Sequence, residues 1–203
     1  VAFLVALERE NGNLERAVQL AGDLANANPD NDQFRFTLGA LQDEAGDRTA
    51  AISTMRETIA LNPRNSEALN YLGYTFAEEG RNLDEAEKLI LRALEIDPRF
   101  AKAWVGISEI EASRRDPVAS IRAAEEAIKC DPTLHSPWFT KGSMLAASGR
   151  PREAVPCLKR AAEIDPDHLQ TRFGLVFLHN SFGERVEAKR QLAEAKRIDP
   201  AKA

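Results

Sequence analysis

Residues that usually carry chemistry are scarce in this chain. Its 203 positions hold two cysteines, three histidines, two methionines, two tryptophans and two tyrosines. Cys130 and Cys157 share no C-x-x-C spacing, which excludes a metal knuckle or a dithiol redox motif. They are expected to be small, semi-buried hydrophobes. As free thiols they favour a reducing compartment such as the cytoplasm and leave the periplasm open. His135, His168 and His179 are not spaced as metal ligands on one helix face, and each is expected as a solvated imidazole. No phosphate-binding loop, dinucleotide fingerprint, nucleophile elbow or H-E-x-x-H is present. The acidic pairs Glu78-Glu79 and Glu125-Glu126 read as solvated helix surface. The expectation is a protein that is not an enzyme, with no catalytic residues, no metal site and no cofactor.

Long apolar runs are also missing. No stretch approaches the roughly 18 uninterrupted apolar residues that a membrane-spanning helix needs, so no membrane insertion is expected within this segment. The formal net charge of −5 argues against a nucleic-acid partner, which calls for a basic stripe. The opening run Val1–Leu7 has no basic residues before it and meets Glu8-Arg9-Glu10 directly, unlike a signal peptide. It is expected to be the first helix of a repeat cut from a longer chain.

What the sequence has instead is a period. Prolines stand at Pro29, Pro63, Pro98, Pro132, Pro166 and Pro200, separated by 34, 35, 34, 34 and 34 residues. Each follows Asn or Asp. A fixed period of this size means one supersecondary unit stacked many times. In the unit from Ser66 to Pro98, Leu69, Leu72, Gly73 and Phe76 fall on one helical face, and Gly80 ends that helix. Leu83 and Asp84 lead into a second helix whose inner face is Ala86, Ile90, Ala93 and Leu94, and Asp97-Pro98 stops it. Glycines recur between the helices at Gly12, Gly46, Gly80, Gly149 and Gly183, with Arg115 in the corresponding turn of the fourth unit. A small residue opens each second helix: Ala17, Ala51, Ala86, Ser120, Ala154 and Ala188. The one extra residue in the 35-residue gap falls in the loop from Gly80 to Ala86.

On these residues the chain resembles the tetratricopeptide repeat family. Trp138, Gly142, Leu145, Gly149, Ala154, Leu158, Ala161 and Pro166 follow its pattern, as do the pairs Leu38-Gly39 and Leu72-Gly73. The resemblance implies an all-α fold, a right-handed superhelical α-solenoid of antiparallel helix pairs. It implies one array over 1–203, with repeats at about 1–31, 32–65, 66–100, 101–134, 135–168 and 169–203. Several positions depart from the pattern. Arg35 and Arg172 stand where a large apolar residue should open the first helix, so Phe36 and Phe173 are expected to turn inward and repair the packing. Lys141 replaces a leucine, Val176 a glycine, and Pro156 should kink its helix. The last helix pair should show an apolar flank, with possible self-association through uncapped ends.

The resemblance further implies that first helices line a concave groove in which a protein or peptide partner docks. The only basic residue at the projected groove positions is Lys102, so the carboxylate clamp that some family members use is absent. The groove candidates are Asn70, Tyr71, Tyr74, Glu109, Phe139, Phe177 and Asn180. Aromatic side chains are common interface anchors, and Tyr71 and Tyr74 flank the packed Leu72-Gly73 pair. The expected function is a non-catalytic scaffold that binds a peptide or helical segment of a partner. Two alternatives are a regulatory or targeting segment of a multidomain enzyme, such as a glycosyltransferase, and an arm of a bacterial envelope or secretion assembly. For the latter, Leu69–Tyr74 and Asn82–Glu87 resemble bacterial repeats of this family.

Overall fold

In the computed structural model, residues 1–80, 82–199 and 201 are described, and they form twelve α-helices and no strands. The helices are α1 (Ala2–Glu10), α2 (Leu14–Ala27), α3 (Asp32–Glu44), α4 (Arg48–Leu61), α5 (Ser66–Glu78), α6 (Leu83–Ile96), α7 (Ala101–Ser113), α8 (Pro117–Cys130), α9 (His135–Ala147), α10 (Pro151–Ile164), α11 (Leu169–Ser181) and α12 (Arg185–Ile198). Odd and even helices pair, and each pair matches one projected repeat. By their internal contacts they form two units, Val1–Pro98 and Arg99–Ala203, so the division falls at a repeat boundary. No described helix is long and apolar enough to cross a membrane.

The turn inside each pair is three residues long, except between α5 and α6, where it is four. That turn absorbs the extra residue; Arg81 lies outside the described residues, and Asn82 takes a left-handed φ of 52°. The glycine turns also need left-handed backbone, with φ of 87° at Gly46 and nothing crowding a Cβ there. Arg115 adopts the same conformation at φ 62° with a side chain attached, which carries a steric cost. Between pairs, the helix-ending residues from Asn62 to Asp199 are extended, as a following proline requires. Pro200 itself lies outside the described residues.

In the third and fifth pairs a first-helix glycine, Gly73 or Gly142, lies against the small residue that opens the second helix, Ala86 or Ala154. Ala17, Ala51, Ala86, Ser120, Ala154 and Ala188 are all buried. A Cβ on Gly73 would lie 2.6 Å from Ile90 Cγ1 and 2.8 Å from the Ala86 backbone oxygen. The fourth pair solves the same contact differently. Ser108 Oγ donates to the Ser120 carbonyl at 2.9 Å, and Ser120 Oγ donates to the Ser108 carbonyl at 2.9 Å. The two serines thus satisfy each other's backbone where the third and fifth pairs use bare contact.

The arginines that break the sequence pattern have a role that it did not reveal. Trp138 Nε1 donates to the Pro132 carbonyl at 3.0 Å. Arg172 donates to the Pro166 carbonyl through Nε at 3.1 Å and Nη2 at 3.0 Å, and Arg35 Nη2 reaches the Pro29 carbonyl at 3.5 Å. Where the opening residue is the apolar Leu69, Arg92 of the second helix donates to the Pro63 carbonyl at 3.2 Å. The opening position therefore supplies an N–H to an interrepeat carbonyl as well as bulk. Arg35 and Arg172 make that repair themselves, and Phe36 and Phe173 remain half-buried beside them.

Three other departures are quiet. α10 runs unbroken through Pro156, whose exposed ring lies away from buried Ala154 and Leu158. Lys141 forms an ion pair with Glu125 at 2.8 Å. The last pair exposes Phe177 on α11 and Val186 on α12, while the rest of α12 is rich in Arg, Lys and Glu. The larger exposed apolar face belongs to α1, at Phe3, Leu4 and Leu7.

Glycine-to-alanine substitution should change sign with position. Gly73→Ala should destabilise by about 1–3 kcal/mol, because backbone cannot give way. Gly22→Ala, where the nearest neighbour of the new Cβ is Leu38 Cδ1 at 3.9 Å, should stabilise α2 by up to about 1 kcal/mol. Arg115→Gly should stabilise by about 0.5–1 kcal/mol through relief of the left-handed strain. Urea unfolding of the three variants checks all three signs.

Candidate partner-binding surface

The predicted residues fall in two groups, one in each unit. Asn70, Tyr71 and Tyr74 lie on α5; Glu109, Phe139, Phe177 and Asn180 lie on α7, α9 and α11.

In the first unit, α3 and α5 are tied at both ends by polar contacts. Gln33 Nε2 donates to Glu67 Oε2 at 3.4 Å near their N-termini. Near their C-termini Arg48 bridges Asp43 at 3.4 Å and Glu78 at 3.2 Å. Tyr71 sits between these ties. Its hydroxyl oxygen is shut off from solvent and makes no well-aligned hydrogen bond. Burial first, and the neighbouring Asp43 carboxylate second, push its ionisation well above the usual tyrosine value. Asn70 is only 8% exposed, and its side-chain Oδ1 also has no partner within the chain. Tyr74, one turn on, is half-buried. α5 therefore holds an acceptor at Asn70 that the fold leaves unpaired and, beside it, a Tyr71 hydroxyl whose neighbours Asp43 and Thr75 are not aligned for a good hydrogen bond.

In the second unit the groups differ more from one another. Phe177 is 71% exposed, one turn from half-buried Phe173, and Asn180 shares its exposed face three residues on. Glu109 is half-buried and accepts from Ser136 Oγ at 3.3 Å. Phe139 is occupied within the chain. It meets the His168 ring edge-on at 4.9 Å, stacks on His135 at 5.8 Å and packs against the core formed by Leu145, Leu158 and Leu175.

The histidines overturn the expectation of solvated imidazoles. His135 and His168 are half-buried and lie 4.2 Å apart, ring centre to ring centre. His179 is 3% exposed, with Nδ1 2.5 Å from Glu184 Oε2 and no partner at Nε2. The signal available in sequence was position: His135 and His168 each stand at or beside the start of a first helix, one repeat apart. Both cysteines are reduced; Cys157 is buried, and burial pushes its thiol above the usual range. Among the described residues no cluster of His, Cys, Asp or Glu could hold a metal ion. A cleft of about 600 Å³ opens between α8, α9 and α10, lined by Ile121, Lys141, Leu145, Pro156 and Cys157. It contains none of the predicted residues.

Comparison with known proteins agrees with this architecture. A tetratricopeptide repeat family model matches residues 36–99 and 77–135, and a second model of the same description matches 145–203. The BBSome complex member bbs-4 of Caenorhabditis elegans is 27% identical over 143 residues, 70% of this chain and 31% of that protein. Anaphase-promoting complex subunit 7 of Homo sapiens is 28% identical over 144 residues, 68% of this chain and 25% of its own length. The chain thus spans a third or less of either relative. Among solved structures, Pseudomonas aeruginosa pilF superposes with a TM-score of 0.85 at 17% identity, covering 98% of this chain and 90% of that one. YrrB, described as a tetratricopeptide repeat protein with an unusual peptide-binding site, superposes with a TM-score of 0.65 at 16% identity, over 90% and 93%. At these identities the two structures speak for the fold alone. The matched models cover most of the residues and the helix pairs follow the repeat throughout: the chain belongs to the tetratricopeptide repeat family.

Proposed function

We propose that this chain is a non-catalytic scaffold whose six helix pairs act as one array, binding an extended or helical segment of a partner protein on its first-helix surface. The principal contact is α5 in the first unit, through Asn70, Tyr71 and Tyr74; in the second unit Phe177 and Asn180 of α11 offer a separate exposed face. The observation that carries this reading is the unpaired Asn70 acceptor on α5 with the poorly aligned Tyr71 hydroxyl beside it. A buried polar group without a partner costs roughly 1–3 kcal/mol, and few persist in a folded chain without a reason. A partner backbone has both groups needed to settle them, an N–H for Asn70 Oδ1 and a carbonyl for the Tyr71 hydroxyl. Phe177 adds an apolar anchor of the kind that dominates interface energetics. Two of the relatives carry names of complex subunits, in line with an interacting role.

A peptide selected from a displayed library against the whole chain serves as the probe. Asn70→Ala combined with Tyr71→Phe should weaken its binding at least about tenfold, about 1.4 kcal/mol. The same pair should lower thermal stability by less than it weakens binding, because Asn70 Oδ1 has no partner within the chain. Unchanged affinity, or a loss of affinity matched by a loss of stability, would sink the assignment.

A further inference from the structure

The junction between the fifth and sixth helix pairs contains a hydrogen-bond relay. His168 is the N-cap of α11, and its Nδ1 accepts from the Thr171 backbone N–H at 3.3 Å. In the tautomer with its proton on Nε2 that nitrogen is an acceptor, and the Thr171 hydroxyl, 2.7 Å away, donates to it. The hydroxyl oxygen is then free to accept from His135 Nε2, 3.1 Å away on α9. Thr171 is fully buried, so no water is at hand to replace a lost partner. Phe139 is packed against both imidazoles.

The equivalent caps of the second and third pairs are asparagines. Asn31 accepts from the Phe34 N–H and Asn65 from the Ala68 N–H, and neither can titrate. The sixth pair performs the same task with an imidazole, linked through one hydroxyl to a second imidazole on the preceding repeat.

We propose that this junction is an acid-labile joint: the His135–Thr171–His168 relay holds α11 against α9 while both imidazoles are neutral, and protonation breaks it, uncapping α11 and freeing Phe139. A proton on His168 Nδ1 turns an acceptor into a donor. The Thr171 N–H then loses its partner, and the Thr171 hydroxyl proton loses its acceptor. With both rings charged, two cations stand about 4 Å apart, a strong repulsion in a partly buried site.

The surroundings of His135 favour its neutral form. Burial first, and the neighbouring His168 second, hold His135 below its ordinary value of 6.5, outweighing the opposing pull of Asp165. Other charges nearby are engaged elsewhere: Glu109 with Ser136, and Arg172 with the Pro166 carbonyl and Gln191. A base with a depressed folded pKa is less protonated in the fold than in the unfolded chain. Its stabilising contribution is full above about pH 6.5 and is lost as the pH falls toward the lowered folded value.

Amide hydrogen exchange by NMR on the whole chain tests the joint. In the wild type, exchange at Thr171, corrected for its intrinsic rate, should be at least about tenfold faster at pH 5.5 than at pH 7.5. His168→Asn restores the cap that the second and third pairs use and should abolish this acceleration. His135→Gln should reduce it, while His179, bound to Glu184 at the far end of α11, remains in both variants as an internal control. Equal protection at the two pH values in the wild type, or equal acceleration in the wild type and His168→Asn, would overturn the proposal. Nitrogen shifts of the wild-type imidazoles give a check that needs no variant: at pH 7.5 both rings should carry their proton on Nε2, and an Nδ1 proton on His168 would contradict the relay.

Discussion

The close approach of the two helices within each pair is the constraint on which the rest of this structure depends. At Gly73 the partner backbone is so near that even one methyl group has no room. The proximity joins one face of each first helix to its second helix and buries the small residues in between. It also decides what remains available. With one face given to its partner helix, a first helix such as α5 keeps only part of its surface on which residues can serve anything outside the chain.

That constraint leaves chemistry some latitude, provided volume and polarity are conserved together. The Ser108 and Ser120 pair shows how. Hydroxyls can enter a contact built for glycine and alanine only if each finds an acceptor, and here each finds the other's backbone carbonyl. The loop prolines follow a related rule. Their carbonyls receive an N–H from a tryptophan, from an arginine on the first helix or from an arginine on the second. What recurs in these repeats is a satisfied carbonyl, and the residue that satisfies it varies.

This explains which features could be read in the sequence. The proline ladder, the turn glycines and the small residues opening second helices were legible because each reports a local backbone or volume requirement. The same requirement also located the four-residue turn after α5. Arg35 and Arg172 looked like defects because the pattern records bulk and is silent on hydrogen bonding. The histidine relay was invisible for a different reason: its members lie far apart in sequence, and only the stacking of two repeats brings them together. Among the projected surface residues, spacing placed Asn70, Tyr71 and Phe177 on first helices. It could not tell that Asn70 is buried with an unused oxygen, that Phe177 stands in solvent, or that Phe139 is already held by two imidazoles.

The proposed scaffold role rests on Asn70 Oδ1, a buried acceptor without a partner in the chain, and on the Tyr71 hydroxyl beside it. A crystal structure of the chain with a library-selected peptide tests it most directly. The account predicts ligand density along α5, with a peptide N–H within about 3.2 Å of Asn70 Oδ1 and a peptide carbonyl in hydrogen-bonding reach of the Tyr71 hydroxyl. A peptide seated elsewhere, such as in the α8–α10 cleft, with Asn70 and Tyr71 untouched, would contradict it.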